Sequence, residues 1–452
     1  MKRIALLLTP VFLLTQLLAD KPHVVIFLAD DLGWKDVGYH GSEIETPHID
    51  RLARQGIQLD RFYVSAICSP TRGSLLSGKY PFNLGLQVDV IRPWDEYGLK
   101  LNEKIMPQFF KEAGYATAIV GKWHMGLSKQ AFLPQNRGFD HQYGHYLGMI
   151  DYFTHDRLGG VDWHRNGKRL KEEGYTTDLM ADEAVRLIEA HDADQPFFLY
   201  MPFNAPHTPL QTTDVYLKKY AHIEDESRRI FAGMVDCMDV AIGRVLDALE
   251  GKGMRDNTLV MFTSDNGGRV RFGADNGKLR EGKKALFEGG IRVPAVIHWP
   301  GNLEGGQMIK EVTHVVDVLP TLASIIGQET PRLDGVDILP VLKGAKQNRN
   351  EVPLHIAPDR AALLQGKWKL VIGAEEPLEG VQTDLVHLFD LDADPYETTD
   401  LKEKCPGRTK SMLARVDELI ESSVEPLGDA SNGESTVPEG FKLPKVWGPW
   451  LD

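Results

Sequence analysis

The run Cys68-Ser69-Pro70-Thr71-Arg72-Gly73 puts a nucleophilic position, a proline and a fixed cation side by side. Pro70 cannot donate a backbone hydrogen bond but suits the first turn of a helix. Residues 71–76 are predicted to be helical, with Gly78 ending the helix. Cys68 is then placed just before a helix N-terminus, where free N–H groups and the dipole favour an anion. Arg72, on the first turn, adds a charge that can fork onto an oxyanion or hold the nucleophile.

Other chemistry-bearing side chains lie far apart in the chain. Asp30, Asp31, Asp265 and Asn266 are all oxygen donors. A hard oxygen set suits Ca²⁺ or Mg²⁺ rather than zinc, and crowded carboxylates repel strongly unless a cation neutralises them. Lys122 and His124 are two residues apart, so on an extended backbone they can face one pocket. His207 lies between Pro206 and Pro209, and Lys283 stands five residues before the turn-like Glu288-Gly289-Gly290.

The elements that must position these groups follow from the hydrophobic pattern. Apolar runs at 23–29, 117–120, 197–201, 259–263 and 293–298 alternate with helical patterns at 48–55, 104–113, 178–190 and 230–249. This alternation implies an α/β fold, a mainly parallel sheet covered by helices on both faces. Asp30-Asp31, Lys122 with His124, His207, and Asp265-Asn266 each follow a different one of these runs. In open α/β sheets the carboxyl ends of the strands converge on one ligand crevice. A second region begins near residue 350. Residues 365–372 read as a strand, with Trp368 and Leu370 on one face and Lys367 and Lys369 on the other. Residues 388–395 read as a strand into a turn and 409–422 as a helix. The expected organisation is a catalytic domain at 20–350 and a C-terminal subdomain at 351–452, a small antiparallel sheet with one helix. The tail at 437–452 is expected to pack along the surface.

The motifs resemble the signatures of type I, formylglycine-dependent sulfatases, in that family's order. They are D-D-L-G-W from Asp30, C-S-P-T-R-G from Cys68, G-K-W-H-M-G from Gly121, A-P-H-T-P-L from Ala205, S-D-N-G-G from Ser264 and K-K-A-L-F-E-G-G-I-R-V-P from Lys283. With R-G-F-D from Arg137, D-Y-F-T-H-D-R from Asp151 and V-W-G-P-W from Val446, the resemblance covers nearly the whole chain. It runs closest to the N-acetylgalactosamine-4-sulfatase (arylsulfatase B) branch.

The resemblance implies an alkaline-phosphatase-like sandwich. It implies that a separate formylglycine-generating or anaerobic maturation enzyme oxidises Cys68 to Cα-formylglycine. One Ca²⁺ would be held by Asp30, Asp31, Asp265, Asn266 and the modified Cys68. The hydrated aldehyde would be the nucleophile, with Asp265 taking its proton. Arg72, Lys122 and Lys283 would spread the sulfate charge. His207, with Lys283, would protonate the departing sugar oxygen, and His124 would deprotonate the second hydroxyl to expel sulfate. Lys284, beside Lys283, leaves a swap of roles open. The implied substrate is a sulfated oligosaccharide, with 4-O-sulfated N-acetylgalactosamine or galactose at a non-reducing end; another position or sugar, 6-O or algal, is the alternative. Gln87, Asp151, His155 and Arg157 are candidate ring-hydroxyl contacts. A formylglycine-dependent phosphodiester or phosphonate hydrolase is a rival reading. So is a glycan-binding protein with a dead site, which predicts loss of a motif residue; none is missing.

The formal net charge of -13 argues against nonspecific nucleic-acid binding, and gives no long-range attraction for a sulfated polyanion. Lys2, Arg3 and the apolar run to Leu18, ending at Ala19, read as a signal peptide over 1–19. A periplasmic or secreted bacterial protein without stable membrane insertion is expected. Of three cysteines, Cys68 is set aside for modification, so one disulfide at most is possible, and Cys237 reads as a buried helix residue.

Overall fold

The computed structural model describes residues 21–347, 349–373, 386–429 and 437–451; the expected signal peptide lies outside them. Every residue of the strand His23–Ala29 is buried, because successive side chains of a covered strand enter opposite cores. Val24, Ile26 and Leu28 enter one core, and Val25, Phe27 and Ala29 the other. Fully burying a large apolar side chain of this kind stabilises by ~1.5–3 kcal/mol.

This strand is central in a ten-stranded sheet. Thr258–Ser264, His23–Ala29, Phe197–Pro202, Ala116–Lys122 and His141–His145 lie side by side, all parallel. Ala295–His298 pairs antiparallel with Thr258–Ser264. Short strands extend both edges. Helices Thr176–Ala190 and Glu226–Gly251 cover one face with Met180, Ala184, Met234 and Ile242. Helices Cys68–Ser77, Met106–Glu112 and Val318–Ile325 cover the other with Leu75, Phe109 and Leu319. The long helix starts at Asp225, whose carboxylate accepts from Arg228 N (2.7 Å). Among the described residues no helix is long and apolar enough to cross a membrane. All three cysteines are free, and Cys237 is buried.

A second, antiparallel sheet runs Glu351–Ile356, Ala361–Gln365, Trp368–Ile372, Val386–Asp390. The molecule is therefore an alkaline-phosphatase-like α/β sandwich with a small antiparallel sheet and helix at its C-terminal end. Helix Pro406–Ser422 packs Met412 and Val416 against Leu363, Leu370 and Leu388. The opposite face of this sheet, with Leu364, Val371 and Phe389, meets Leu286, Phe287 and Ile291. One expectation needs correction. Residues 365–372 are not one strand: Gly366, at φ 57°, turns the chain between two paired strands. The tail packs along the surface as expected, with one residue going deeper. Trp447 is fully buried, its N–H donating to Val161 O (2.9 Å) and its Nε1 to Arg157 O (2.7 Å), because an indole can bury once its N–H has a partner.

Candidate active site

The parallel strands deliver their polar residues to one edge. Asp30 and Asp31 follow His23–Ala29, Lys122 ends Ala116–Lys122, His207 lies in the loop after Phe197–Pro202, and Asp265 and Asn266 follow Thr258–Ser264. Backbone bonds lock these ends together: Asp265 N donates to Ala29 O and Asp30 N to Ala205 O, each at 3.0 Å. Cys68 is the first residue of its helix rather than the residue before it, and all ten residues of that helix are buried. Gly78, at φ 68°, closes the helix as expected. Lys283 arrives on a loop pinned to the strand ends. Its N–H donates to Gly268 O (3.1 Å), and Lys284 N donates to Ala66 O (2.8 Å), two residues before Cys68.

The side chains form one buried charge cluster. Arg72 Nε and Nη2 donate to Asp265 Oδ2 at 3.0 and 2.8 Å, and Nη1 to Lys122 O at 3.3 Å. Lys122 Nζ lies 2.5 Å from Asp30 Oδ2. Lys283 Nζ pairs with Asp31 Oδ1, which also accepts from Asn266 Nδ2 at 2.8 Å. His207 Nε2 stands 3.7 Å from Asp31 Oδ2. One ligand atom each from Asp30, Cys68 and Asp265 fall within 4.8 Å of one another, as do those of Asp30, Asp31 and His207. His124 Nε2 meets Ile91 O at 3.0 Å, while its Nδ1 is buried without a hydrogen-bond partner. Asp31 and His124 hold left-handed backbones, φ 69° and 56°, conformations that residues with a Cβ adopt at a cost, often at functional sites.

This environment sets the protonation states. Burial pushes Asp30 up to about 7, and Asp265 adds to the rise against Lys122 and Arg72. Burial acts on Asp31 too, but Lys283 and His207 outweigh it and hold that carboxyl at about 2. Burial brings His207 down to about 3, opposed by Asp31 and reinforced by Lys283 and Lys122. Burial, then Lys122 and Arg72, push His124 well below the ordinary imidazole range, so its ring is neutral near pH 7. Burial raises the Cys68 thiol despite Lys122 and Lys283. An unmodified thiol there is therefore protonated and a weak nucleophile.

The family model described as Sulfatase matches residues 22–328. The chain belongs to the sulfatase family. It is a sulfuric ester hydrolase, and a second model, N-sulphoglucosamine sulphohydrolase, C-terminal, matches residues 281–422. This sulfatase is 34% identical to mouse arylsulfatase J over 95% of its own length and 80% of the relative's. It is 33% identical to mouse N-acetylgalactosamine-6-sulfatase over 77% and 71%. Among solved structures it resembles Ps i-CgsB in complex with k-i-k-neocarrahexaose, with a TM-score of 0.82 and 31% identity over 90% of this chain and 94% of that one.

The sulfatase's donor set fits a hard divalent cation. Asp30 Oδ1 and Asn266 Oδ1 are buried with no hydrogen-bond partner, and an orphaned buried oxygen is costly unless something electropositive meets it. With all three carboxylates ionised, as a bound cation would favour, Asp30, Asp31 and Asp265 balance the three positive charges of Arg72, Lys122 and Lys283. A divalent ion would leave the centre at +2, suited to an anionic ester.

Of the four candidate sugar contacts, Asp151 and His155 are bonded outside this cluster, while Gln87 Oε1 and Arg157 Nε are buried without a partner. Gln87 Nε2 donates to Val424 O (2.8 Å), and its Oε1 is buried without a partner. Asp151 accepts from Phe153 N, Thr154 N and Gln211 Nε2 at 2.9, 2.8 and 2.7 Å, closing its own turn. His155 stacks on Trp163, centroids 4.9 Å apart, with Nε2 3.0 Å from Gly174 O. Arg157 is partly exposed, and its carbonyl accepts from Trp447. Lys283, rather than its neighbour, is the lysine paired with Asp31. Two supporting contacts come from motif residues with no role assigned from the sequence. Tyr152 Oη lies 2.7 and 2.8 Å from the carbonyls of Asn204 and His207, bracing the His207 loop. Ser69 Oγ bridges Ile91 N (3.0 Å) and His124 O (3.3 Å), so it fixes the segment whose Ile91 carbonyl meets the His124 ring.

Proposed function

We propose that this sulfatase is an exported carbohydrate sulfatase that works through a formylglycine made from Cys68, with one Ca²⁺ in its centre. The observation that carries the reading is the buried cluster of acids and cations around Cys68, Asp265 and Arg72. Formylglycine, once hydrated, supplies the hydroxyl nucleophile that the protonated thiol does not. Asp30, Asp31, Asp265 and Asn266, with position 68, would hold the ion, which supplies Lewis acidity toward the nucleophile and the sulfate oxygens.

The chain's own residues have defined work. Asp265 accepts the proton of the nucleophilic hydroxyl, while Arg72 keeps that carboxylate oriented through two hydrogen bonds to one oxygen. Arg72, Lys122 and Lys283 present fixed positive charge to the sulfate, so no reorganisation is needed as charge shifts. His207, poised over Asp31 and close to Lys283, delivers a proton to the departing sugar oxygen; the bound anion favours its protonated form. His124, neutral and with a free Nδ1, accepts the proton that frees the sulfate.

The kinship supports a choice of sugar. Relatives named for N-acetylgalactosamine, and a relative holding a neocarrahexaose, support a galacto-configured residue. The proposed substrate is a 4-O-sulfated N-acetylgalactosamine or galactose at a non-reducing end. The 6-sulfatase relatives make the 6-O ester the second reading. The basic and apolar N-terminal run supports export. Sulfate release from 4-O- and 6-O-sulfated N-acetylgalactosamine tests the position. Selective 4-O release is expected; 6-O selectivity moves the assignment to the second reading, and release from neither discards both.

A further inference from the structure

Lys283 stands on a turn that the C-terminal sheet grips. Lys369, on Trp368–Ile372, is fully buried, with its ammonium 2.9 Å from Glu288 Oε1 and 2.7 Å from Glu397 Oε1. Glu397 Oε2 accepts from Glu288 N at 2.7 Å, and Glu288 Oε2 accepts from Tyr63 Oη at 3.0 Å. Arg292 Nη1 stands 3.6 Å from that same oxygen. Glu397 holds φ 58° to reach this place, a conformation that costs energy for a residue with a Cβ. The surroundings are Phe287, Ile291, Val371 and Phe389. A buried ionic group in such surroundings is often less stable than an apolar one of the same size. Its stability alone does not explain it, but its location does. Gly289 N donates to Arg280 O (2.8 Å), and Gly267 N to Gly290 O (2.9 Å), so the segment held by Glu288 closes the Lys283 loop and touches the loop after Asp265 and Asn266.

We infer that Lys369, with Glu288 and Glu397, is a positioning residue that fixes the 280–291 turn so that the Lys283 ammonium reaches the sulfate-binding centre. The inference rests on the role proposed above for Lys283. It makes the small C-terminal sheet part of the catalytic apparatus, although none of its strands carries one of the proposed reacting groups.

A double-mutant cycle on kcat/KM with 4-nitrophenyl sulfate tests it. Lys283→Ala is expected to lower kcat/KM by about 10²–10³-fold, and Lys369→Met by about tenfold through misplacement of Lys283. The double variant is expected to be no worse than Lys283→Ala alone, since residues acting as a unit do not add. Lys369→Arg, which keeps the charge, recovers most of the loss. A double loss equal to the product of the single losses would overturn the proposal, as would Lys369→Met within about twofold of the parent. Undiminished turnover in Lys283→Ala alone would instead remove the role of Lys283. If Lys369→Met does not fold, Glu397→Gln takes its place in the cycle, keeping an acceptor for Glu288 N while losing its charge, and the same outcomes decide.

Discussion

A single methyl group at position 148 probes the work given to His124. A Cβ on Gly148 would lie 2.5 Å from His124 Cε1 and 2.6 Å from its Nε2, where carbon contacts settle at about 3.5–4.0 Å. The ring must therefore retreat by about 1 Å, and its Nε2 contact with Ile91 O is lost or skewed. The His124 backbone cannot follow. Its N–H is bound to Tyr146 O (3.0 Å), its carbonyl accepts from Ser69 Oγ (3.3 Å), and its φ is already 56°. Misplacing a catalytic group by about 1 Å can cost ~10²-fold, and losing a general base altogether ~10²–10⁴-fold. Gly148→Ala is accordingly expected to lower kcat by ~10²-fold. Overpacking costs only ~1–3 kcal/mol, and the far end of a side chain can yield, so the protein stays folded. The assay is turnover of 4-nitrophenyl sulfate, normalised to the fraction of Cys68 converted, beside thermal unfolding. Because His124 is assigned to the step after the leaving group departs, the variant should also show a nitrophenol burst before its slow steady state. A folded, fully converted Gly148→Ala with turnover within about twofold of the parent would refute the reasoning.

Other consequences follow from the same geometry. Arg72→Leu leaves the Asp265 carboxylate buried without its two-bond partner; a loss of ~3–5 kcal/mol is expected, read by chemical denaturation, together with loss of turnover. Chelation followed by dialysis is expected to abolish turnover, and Ca²⁺ to restore it and raise the unfolding temperature. Asn266→Ala should weaken that response in calorimetric titration, since the orphaned Asn266 Oδ1 is one of the proposed ligands. Burial holds His355 at about 3, and Arg360 deepens the shift; burial likewise holds His145 at about 3, with Lys122 and Arg72 reinforcing it against Asp162. Between about 3 and the ordinary 6.5 the unfolded chain binds protons that the folded chain does not. Stability is thus lost as pH falls from 6.5, by up to ~1.4 kcal/mol per pH unit for each ring. His355→Gln should flatten the fall in unfolding temperature between pH 7 and pH 5; an unchanged slope would contradict this.

The sequence made the sheet legible because its central strands are covered on both faces. HVVIFLA and FFLYMP are unbroken apolar runs, and the polar residues just beyond them have nowhere to go but the sheet's carboxyl edge. Cys68, Arg72 and their helix were readable from proline and glycine placement. What stayed hidden depends on contacts between distant residues. Lys369 and Glu288 are 81 residues apart, and only the packing of the small sheet against the Lys283 turn joins them. The turn at Gly366 is invisible in a pattern that reads as one strand over 365–372, because a left-handed backbone leaves no mark on it. Trp447 is placed by its neighbour Val446, which bridges Val161, 285 residues earlier. Asp151 and His155 are polar residues in a motif, yet Asp151 closes its own turn and the His155 ring meets Gly174 O. Nothing in their spacing distinguishes that from ligand contact.

The most direct measurement is peptide mass spectrometry across position 68, made on enzyme from a host with the maturation system and paired with sulfate release by the same sample. The account predicts formylglycine at position 68, with turnover proportional to the converted fraction. Unmodified Cys68 with full sulfatase activity would contradict it.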